Sequence, residues 1–173
     1  MSVYLSAGHS LQDTGAAGIN GRMENQETIK LRNAILYCLR AKGIPVQTDN
    51  DNESLAQYLA RIQPGVQDKV IELHFDCANG AASGTTAYVK NGAGKQCMEY
   101  ARLLVNTVSQ VLGIPDRGVK PESESERHYL ALVHASAMAV ILEVCFIDNA
   151  GDMQAYDAGF ERLSVLLAAF LTA

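Results

Sequence analysis

The sequence predicts an α/β domain: a mainly parallel, twisted sheet with helices on both faces. Three observations carry this. Apolar runs of strand length alternate with stretches whose apolar residues recur at helical spacing. The run Ala139-Val140-Ile141-Leu142-Glu143-Val144-Cys145-Phe146 is apolar almost throughout, as a strand covered on both faces must be. Gly43 and Pro64-Gly65 stand where helical segments must stop and the chain must return.

Taken in order, residues 2–7 form a first strand that leads into Gly8-His9. Residues 10–23 are rich in Gly, Ala and Asn, lack a period and read as a loop. The loop's Gly15, Gly18 and Gly21 do not match G-x-G-x-x-G, which speaks against a nucleotide cofactor. A helix follows over residues 25–42, with Ile29, Ala34, Ile35, Cys38 and Leu39 on one stripe, Glu27 in the first turn and Arg40 in the last. Residues 45–48 are a short strand, and Asn52 is expected to cap a helix that runs to Ile62. Residues 70–74 are the third strand, on which the period of two puts Glu72 and His74 on one face.

Residues 75–84 are a loop, and residues 85–90 alternate as a further strand. A long helix ends at Leu112, with Cys97, Ala101, Leu104 and Val108 on its apolar face. Residues 115–127 are polar and loop-like, residues 129–133 a short strand, and residues 134–136 a turn into the strand around Glu143. After a turn over residues 146–151, a last helix over residues 158–171 packs Phe160, Leu163, Leu167, Phe170 and Leu171.

The 173 residues make one domain, residues 1–173, with enough length for a proper core. A hydrophobic content of 48% and a charged content of 19% are those of an ordinary globular protein. The net charge of -5 argues against nucleic acid or an anionic membrane held by bulk electrostatics. The N-terminus lacks the basic and long apolar regions of a signal peptide, and the apolar run at residues 163–173 is too short to span a bilayer. The four cysteines form no C-x-x-C pair and read as buried free thiols of a protein made in a reducing compartment. Cys77, just beyond His74, is a weak metal-ligand candidate.

In a parallel sheet the functional crevice lies beyond the C-terminal strand ends. His9 and His74 sit at such ends, Glu143 lies close to one, and Glu24 begins a helix that must start on the same side. An ionised Glu143 within an apolar run is costly unless it is paired, metal-bound or protonated. It either marks a strand end beside a buried arginine or does acid–base chemistry. Two histidines and one carboxylate make a catalytic zinc set, with a fourth position left for water. A further carboxylate must then move protons, and Glu143 suits that role.

The motifs Ser6-Ala7-Gly8-His9, Asp13-Thr14-Gly15-Ala16, Glu24, Leu73-His74-Phe75-Asp76, Arg117-Gly118-Val119-Lys120 and Leu142-Glu143-Val144-Cys145-Phe146-Ile147-Asp148-Asn149 come in a telling order. In that order and rough spacing they resemble the zinc-dependent N-acetylmuramoyl-L-alanine amidases of the amidase-3 type. The resemblance runs from about Val3 to Tyr156. It implies a phosphorylase/hydrolase-like α/β fold and one Zn2+ per chain. It implies cleavage of the amide between N-acetylmuramic acid and the L-alanine of the peptidoglycan stem peptide. Carried over by position, His9, Glu24 and His74 match the metal ligands and Glu143 the catalytic carboxylate.

The chain departs from the family at Glu72, where Ser is usual, and at Asp76, where Asn is usual. Glu72 is read as an outer partner of a ligand histidine, with pairing to a buried cation as the alternative. Arg117 and Lys120 are candidates to line the groove for substrate carboxylates, and His134 to touch substrate. His128 and Arg61 are read as surface residues, and Tyr88 and Tyr129 as packing residues. Residues 121–127 are too short for an occluding helix, so the site is expected to be open without an activator.

The expected setting is a monomer made in the cytoplasm, acting on the cell wall or periplasmic peptidoglycan after release or export. That describes a phage endolysin or an exported bacteriolytic effector. A zinc peptidase on the stem peptide and a non-catalytic zinc-containing wall-binding module are the competing readings.

Overall fold

A computed structural model describes residues 2–172. Met1 and Ala173, the ends of the expected domain and of its terminal apolar run, lie outside the described residues. The strands are β1 (Val3–Ala7), β2 (Val46–Thr48), β3 (Lys69–Asp76), β4 (Thr85–Val89), β5 (Asp116–Pro121) and β6 (Met138–Phe146). The helices are α1 (Glu24–Ala41), α2 (Leu55–Arg61), α3 (Lys95–Leu112) and α4 (Ala150–Leu171). The six strands form one sheet in the order β2-β1-β3-β6-β4-β5. β2, β1, β3 and β6 are mutually parallel, β4 runs antiparallel to β6, and β5 follows β4 in parallel.

The two faces of the sheet are covered unequally. Val3, Leu5, Ile71, Leu73, Val140 and Leu142 point into a large core beneath α1, α3 and α4. The alternate residues Tyr4, Val70, Ala139 and Ile141 pack in a smaller cluster with Tyr58 and Ile62 from α2, and with Leu132 and Val133 from a 3-10 turn over Ala131–His134. Further along the same strands that second face carries Ser6, Glu72, His74 and Glu143.

Several elements differ from expectation, each for a local reason. The helix α1 starts at Glu24 without a side-chain cap. Its first free N–H groups, those of Glu24 and Asn25, donate to Ala16 O (2.9 Å) and Thr14 O (3.1 Å) of the preceding loop. Its buried ridge is Leu31, Ile35 and Leu39, with Ile29, Ala34 and Cys38 only part-buried. The cap of α2 is Ser54, not Asn52. Ser54 and Gln57 form a reciprocal capping box, whereas the Asn52 amide accepts from Gln12 Nε2.

Residues 116–121 are a strand rather than loop. As a sheet edge with exposed or part-buried residues it carries no apolar alternation to read. Residues 129–133 are not a strand. Leu132 and Val133 are buried, but the segment turns as a 3-10 helix and joins no ladder. The helix α4 begins at Ala150, earlier than expected, because Asn149 caps it and the buried Asp152 carboxylate accepts from Gly84 N (2.9 Å) and Phe146 N (3.0 Å). A polar start of this kind looks like a turn in sequence. Cys97 and Cys145 are buried thiols, whereas Cys38 is part-buried and Cys77 exposed. Among the described residues no helix is long and apolar enough to cross a membrane.

Candidate active site

The C-terminal ends of β1, β3 and β6 open into a crevice of about 640 Å³ that contains His9, Glu24, His74 and Glu143. Ligand-type atoms of His9, Glu24 and His74 all lie within 4.8 Å of one another. Each residue is delivered by a different device. β1 ends at Ala7, and His9 then takes a left-handed conformation (φ 68) that only a well-supported non-glycine residue holds. Glu24 is the first residue of α1 and is held by the loop bonds at the helix start. His74 projects from β3, and its register neighbour on β6 is Glu143.

Glu24 is the hub. Its Oε2 lies 3.0 Å from His9 Nε2, and its Oε1 lies 2.8 Å from His74 Nδ1. Backbone N–H groups of Ala16 (2.9 Å) and Phe75 (3.1 Å) also donate to it. Burial alone would raise its pKa, but the hydrogen bonds from His74 and His9 outweigh that and hold the carboxyl far below the ordinary range. Both imidazoles move the other way. Burial disfavours their charge, yet Glu24 raises His9 and Glu24 with Glu72 raises His74 well above 6.5.

The outward nitrogens are held too. His9 Nδ1 lies 2.9 Å from Asp13 Oδ2, and His74 Nε2 lies 3.0 Å from Glu72 Oε1. Ser6 Oγ donates to Glu72 Oε2 at 3.3 Å. Each histidine therefore has a carboxylate behind it that fixes which nitrogen faces Glu24, Nε2 of His9 and Nδ1 of His74, the arrangement that orients metal-binding imidazoles. The cradle is built around the rings. A Cβ on Gly8 would lie 2.4 Å from His74 Cε1, and one on Gly15 2.5 Å from His9 Cδ2. Two imidazoles and one carboxylate so arranged fit a catalytic zinc set.

Glu143 is half-buried, and its Oε2 is enclosed with no hydrogen-bond partner among the described residues. No arginine pairs with it there, so the strand-end ion pair is not formed. Burial pushes its carboxyl up to about 8, against the opposing charge of His74.

The remaining candidates divide. Asp76 lines the crevice, accepts Cys77 N at 2.9 Å, and is raised by burial. Arg117 does not line it: its guanidinium donates to Ser83 O (3.3 Å) and sits 5.1 Å over the Phe146 ring. Lys120 is likewise absent from the lining. His134 turns away and pairs with Glu122 at 2.9 Å, because the 3-10 turn redirects it. Arg61 is a surface pair with Glu53, and His128 bonds the backbone of its own loop. Cys77 is not in the metal-competent group. Tyr129, expected to pack, is 61% exposed on the crevice wall, and Tyr88 also lines it.

Sequence reasoning assigned no role to Asp13 and did not single out Arg127, which also lines the crevice. Asp13 carried a signal, standing four residues after His9 across the short turn Ser10-Leu11-Gln12. Arg127 had none, in a polar loop without period.

The sequence matches the N-acetylmuramoyl-L-alanine amidase family, amidase-3, over residues 3–162. It is 26% identical over 155 residues to the protein YqiI of Bacillus subtilis (strain 168), covering 87% of this chain and 72% of that one. It is 27% identical over 155 residues to the endolysin of Bacillus phage SPP1, covering 85% of this chain and 55% of the phage protein. The chain therefore spans little more than half of that relative's length. Its fold is similar to the catalytic domain of the CD27L endolysin targeting Clostridia difficile, with a TM-score of 0.76 at 22% identity, covering 99% of this chain and 97% of that one. A family match across nearly the whole chain, on a fold of that kind, makes this chain a member of the N-acetylmuramoyl-L-alanine amidase family.

Proposed function

We propose that this chain hydrolyses the amide between the lactyl group of N-acetylmuramic acid and the L-alanine of the peptidoglycan stem peptide. The observation that carries this is one crevice in which three metal-competent donors, within 4.8 Å of one another, adjoin a partnerless carboxyl raised to about 8. His9, Glu24 and His74 would hold one zinc ion. When bound, zinc supplies Lewis acidity at the scissile carbonyl and brings the pKa of water to about 7.

The chain's own groups do the rest. Glu143, which lines the crevice, takes a proton from the attacking water and passes it to the leaving nitrogen of L-alanine. A carboxyl with a pKa near neutrality serves both transfers, since it is a competent base and then a competent acid. Asp13 and Glu72 keep His9 and His74 turned with one nitrogen towards Glu24. All these groups come from one chain, and the reading is of a monomer. Residues 122–124 form only a 3-10 turn beside the crevice, so the site works without an activator protein. The biological role that suits such an enzyme is that of a phage endolysin or an exported bacteriolytic effector, acting on wall or periplasmic peptidoglycan.

The test is digestion of purified peptidoglycan with and without a chelator, followed by mass analysis of the soluble products. Free stem peptides beginning with L-alanine, lost on chelation and restored by zinc, are expected. Muropeptides cut within the stem would replace this reading with a peptidase. No product from a folded, zinc-loaded protein would replace it with a wall-binding module.

A further inference from the structure

We infer that Arg127 is a specificity-determining residue that takes a free carboxylate of the stem peptide, on the peptide side of the amide whose cleavage is proposed above. The inference rests on that reading for the identity of the ligand, and on the crevice itself for its charge. The lining is strongly acidic: Asp13, Glu24, Glu72, Asp76, Glu126 and Glu143 all contribute. A peptide bearing carboxylates meets a repulsive wall there unless a cation receives it. Arg127 is the one lysine or arginine among the lining residues. It also borders the smaller cavity of about 140 Å³ that continues past His9 and His74 towards Ser6 and Tyr58. Its position therefore faces substrate on either side of the metal-competent donors. Among the described residues it forms no salt bridge, so its guanidinium keeps its fork of donors for a ligand.

An exposed arginine is ordinarily just a solvated surface group. Here the loop that carries it is tied down from within. Glu122, 2% exposed, accepts N–H bonds from Asn91 (3.2 Å) and Leu130 (2.9 Å) and pairs with His134 at 2.9 Å. Ser125 is buried and donates its hydroxyl to Glu122 O at 2.6 Å. His128 takes the left-handed conformation (φ 55), places its Nδ1 2.8 Å from Ser123 O, and closes the turn with its N–H on Ser125 O (3.1 Å). Beyond it the exposed Tyr129 ring stacks on His134 at 4.8 Å. The same buried carboxylate thus braces both ends of a short loop, and the loop offers one cation and one flat ring to the crevice. That pair recognises a carboxylate beside an apolar or sugar face. It also gives the otherwise unread acidic stretch Glu122-Ser123-Glu124-Ser125-Glu126 a purpose, through its one buried member.

The test is calorimetric binding of two tripeptides to the zinc-loaded protein. One is L-alanyl-γ-D-glutamyl-L-lysine. The other carries a carboxamide in place of the glutamyl α-carboxylate. Neither contains the scissile amide, so binding is read apart from cleavage. The wild type is expected to prefer the carboxylate form by about tenfold, the size of one charge-assisted hydrogen bond. Arg127→Gln should lose that preference while leaving carboxamide affinity unchanged, and Arg127→Lys should keep part of it. Equal affinities in the wild type, or an undiminished preference in Arg127→Gln, would overturn the inference. Cleavage of the matching muramoyl tripeptides is followed in parallel. Carboxylate preference without any cleavage would uphold Arg127 and bring down the amidase reading instead.

Discussion

Two faces of the same three strands have opposite fates. On one face of β1, β3 and β6, Leu5, Leu73 and Leu142 are sealed beneath the long helices α1, α3 and α4. On the other, Tyr4, Val70, Ala139 and Ile141 are sealed by α2 and a 3-10 turn. That cover stops short, and the next residues along are Ser6, Glu72, His74 and Glu143. The alternation of side chains is the same throughout. What differs is the length of the cover. Where a strand end runs past its covering helix, polar groups sit in low dielectric with one open side, and that combination shifts carboxyl and imidazole pKa values. The covered face is expected to govern stability, and the uncovered strand ends metal binding and turnover.

The sharpest way to break this division is His74→Ala. It should abolish zinc retention and activity together while the thermal transition of the metal-free protein stays cooperative; full zinc content by elemental analysis would remove His74 from the ligand set. Next is Glu143→Gln. It should lower kcat by about 10²–10⁴ with zinc content unchanged, and unaltered lysis of peptidoglycan would end its assignment as the proton carrier.

Leu142→Ala probes the other face. It should cost about 2–5 kcal/mol in urea unfolding yet leave zinc affinity near the wild-type value. If it emptied the metal site as His74→Ala does, the two faces would not be separable.

Glu72→Gln is a subtler change at the uncovered end. It should weaken zinc binding by about 10–100-fold without loss of fold, read by competition with a chromophoric chelator. The same titration tests pH. The pKa values of His9 and His74 are raised above 6.5 in the metal-free protein, and ligand nitrogens must be unprotonated. Lowering the pH therefore favours the protonated rings and expels the ion, and zinc affinity should begin to fall while the solution is still above 6.5. Affinity that is flat between about pH 5 and 8 would contradict this. The smallest effect belongs to neither region: Arg61→Ala, removing a pair with Glu53 in which the Arg61 side chain is 45% exposed, should change stability by less than about 1 kcal/mol.

Much of this division could be read in advance, though unevenly. The strand around Glu143 was legible because a lone carboxylate in an apolar run calls for either a buried arginine or a chemical role, and among the described residues no arginine pairs with it. Glu72 and His74 were placed on one face by the period of two, and they meet at 3.0 Å. β5 was illegible because an edge strand needs no apolar face. The start of α4 was hidden because its first turn serves the buried Asp152 network rather than the core. Arg117 was a groove candidate because it precedes an acidic loop and His134 because it was read as ending a strand near the crevice, but one turns to Ser83 and Phe146 and the other to Glu122.

By itself the sequence determined the alternation of strands and helices, the family to which its ordered motifs belong, and which side chains stand at strand ends. Periodicity and motif order are local or nearly local properties, and the chain carries them without being folded. Only the tertiary structure decided which carboxylate stands behind which imidazole, and how far the crevice is left uncovered. It also decided that the loop at Arg127 rather than Arg117 forms the wall. Those outcomes depend on turns such as the left-handed His9 and on long-range partners such as Glu122 with Asn91, 31 residues apart in sequence. Contacts of that kind exist only once the whole sheet has closed.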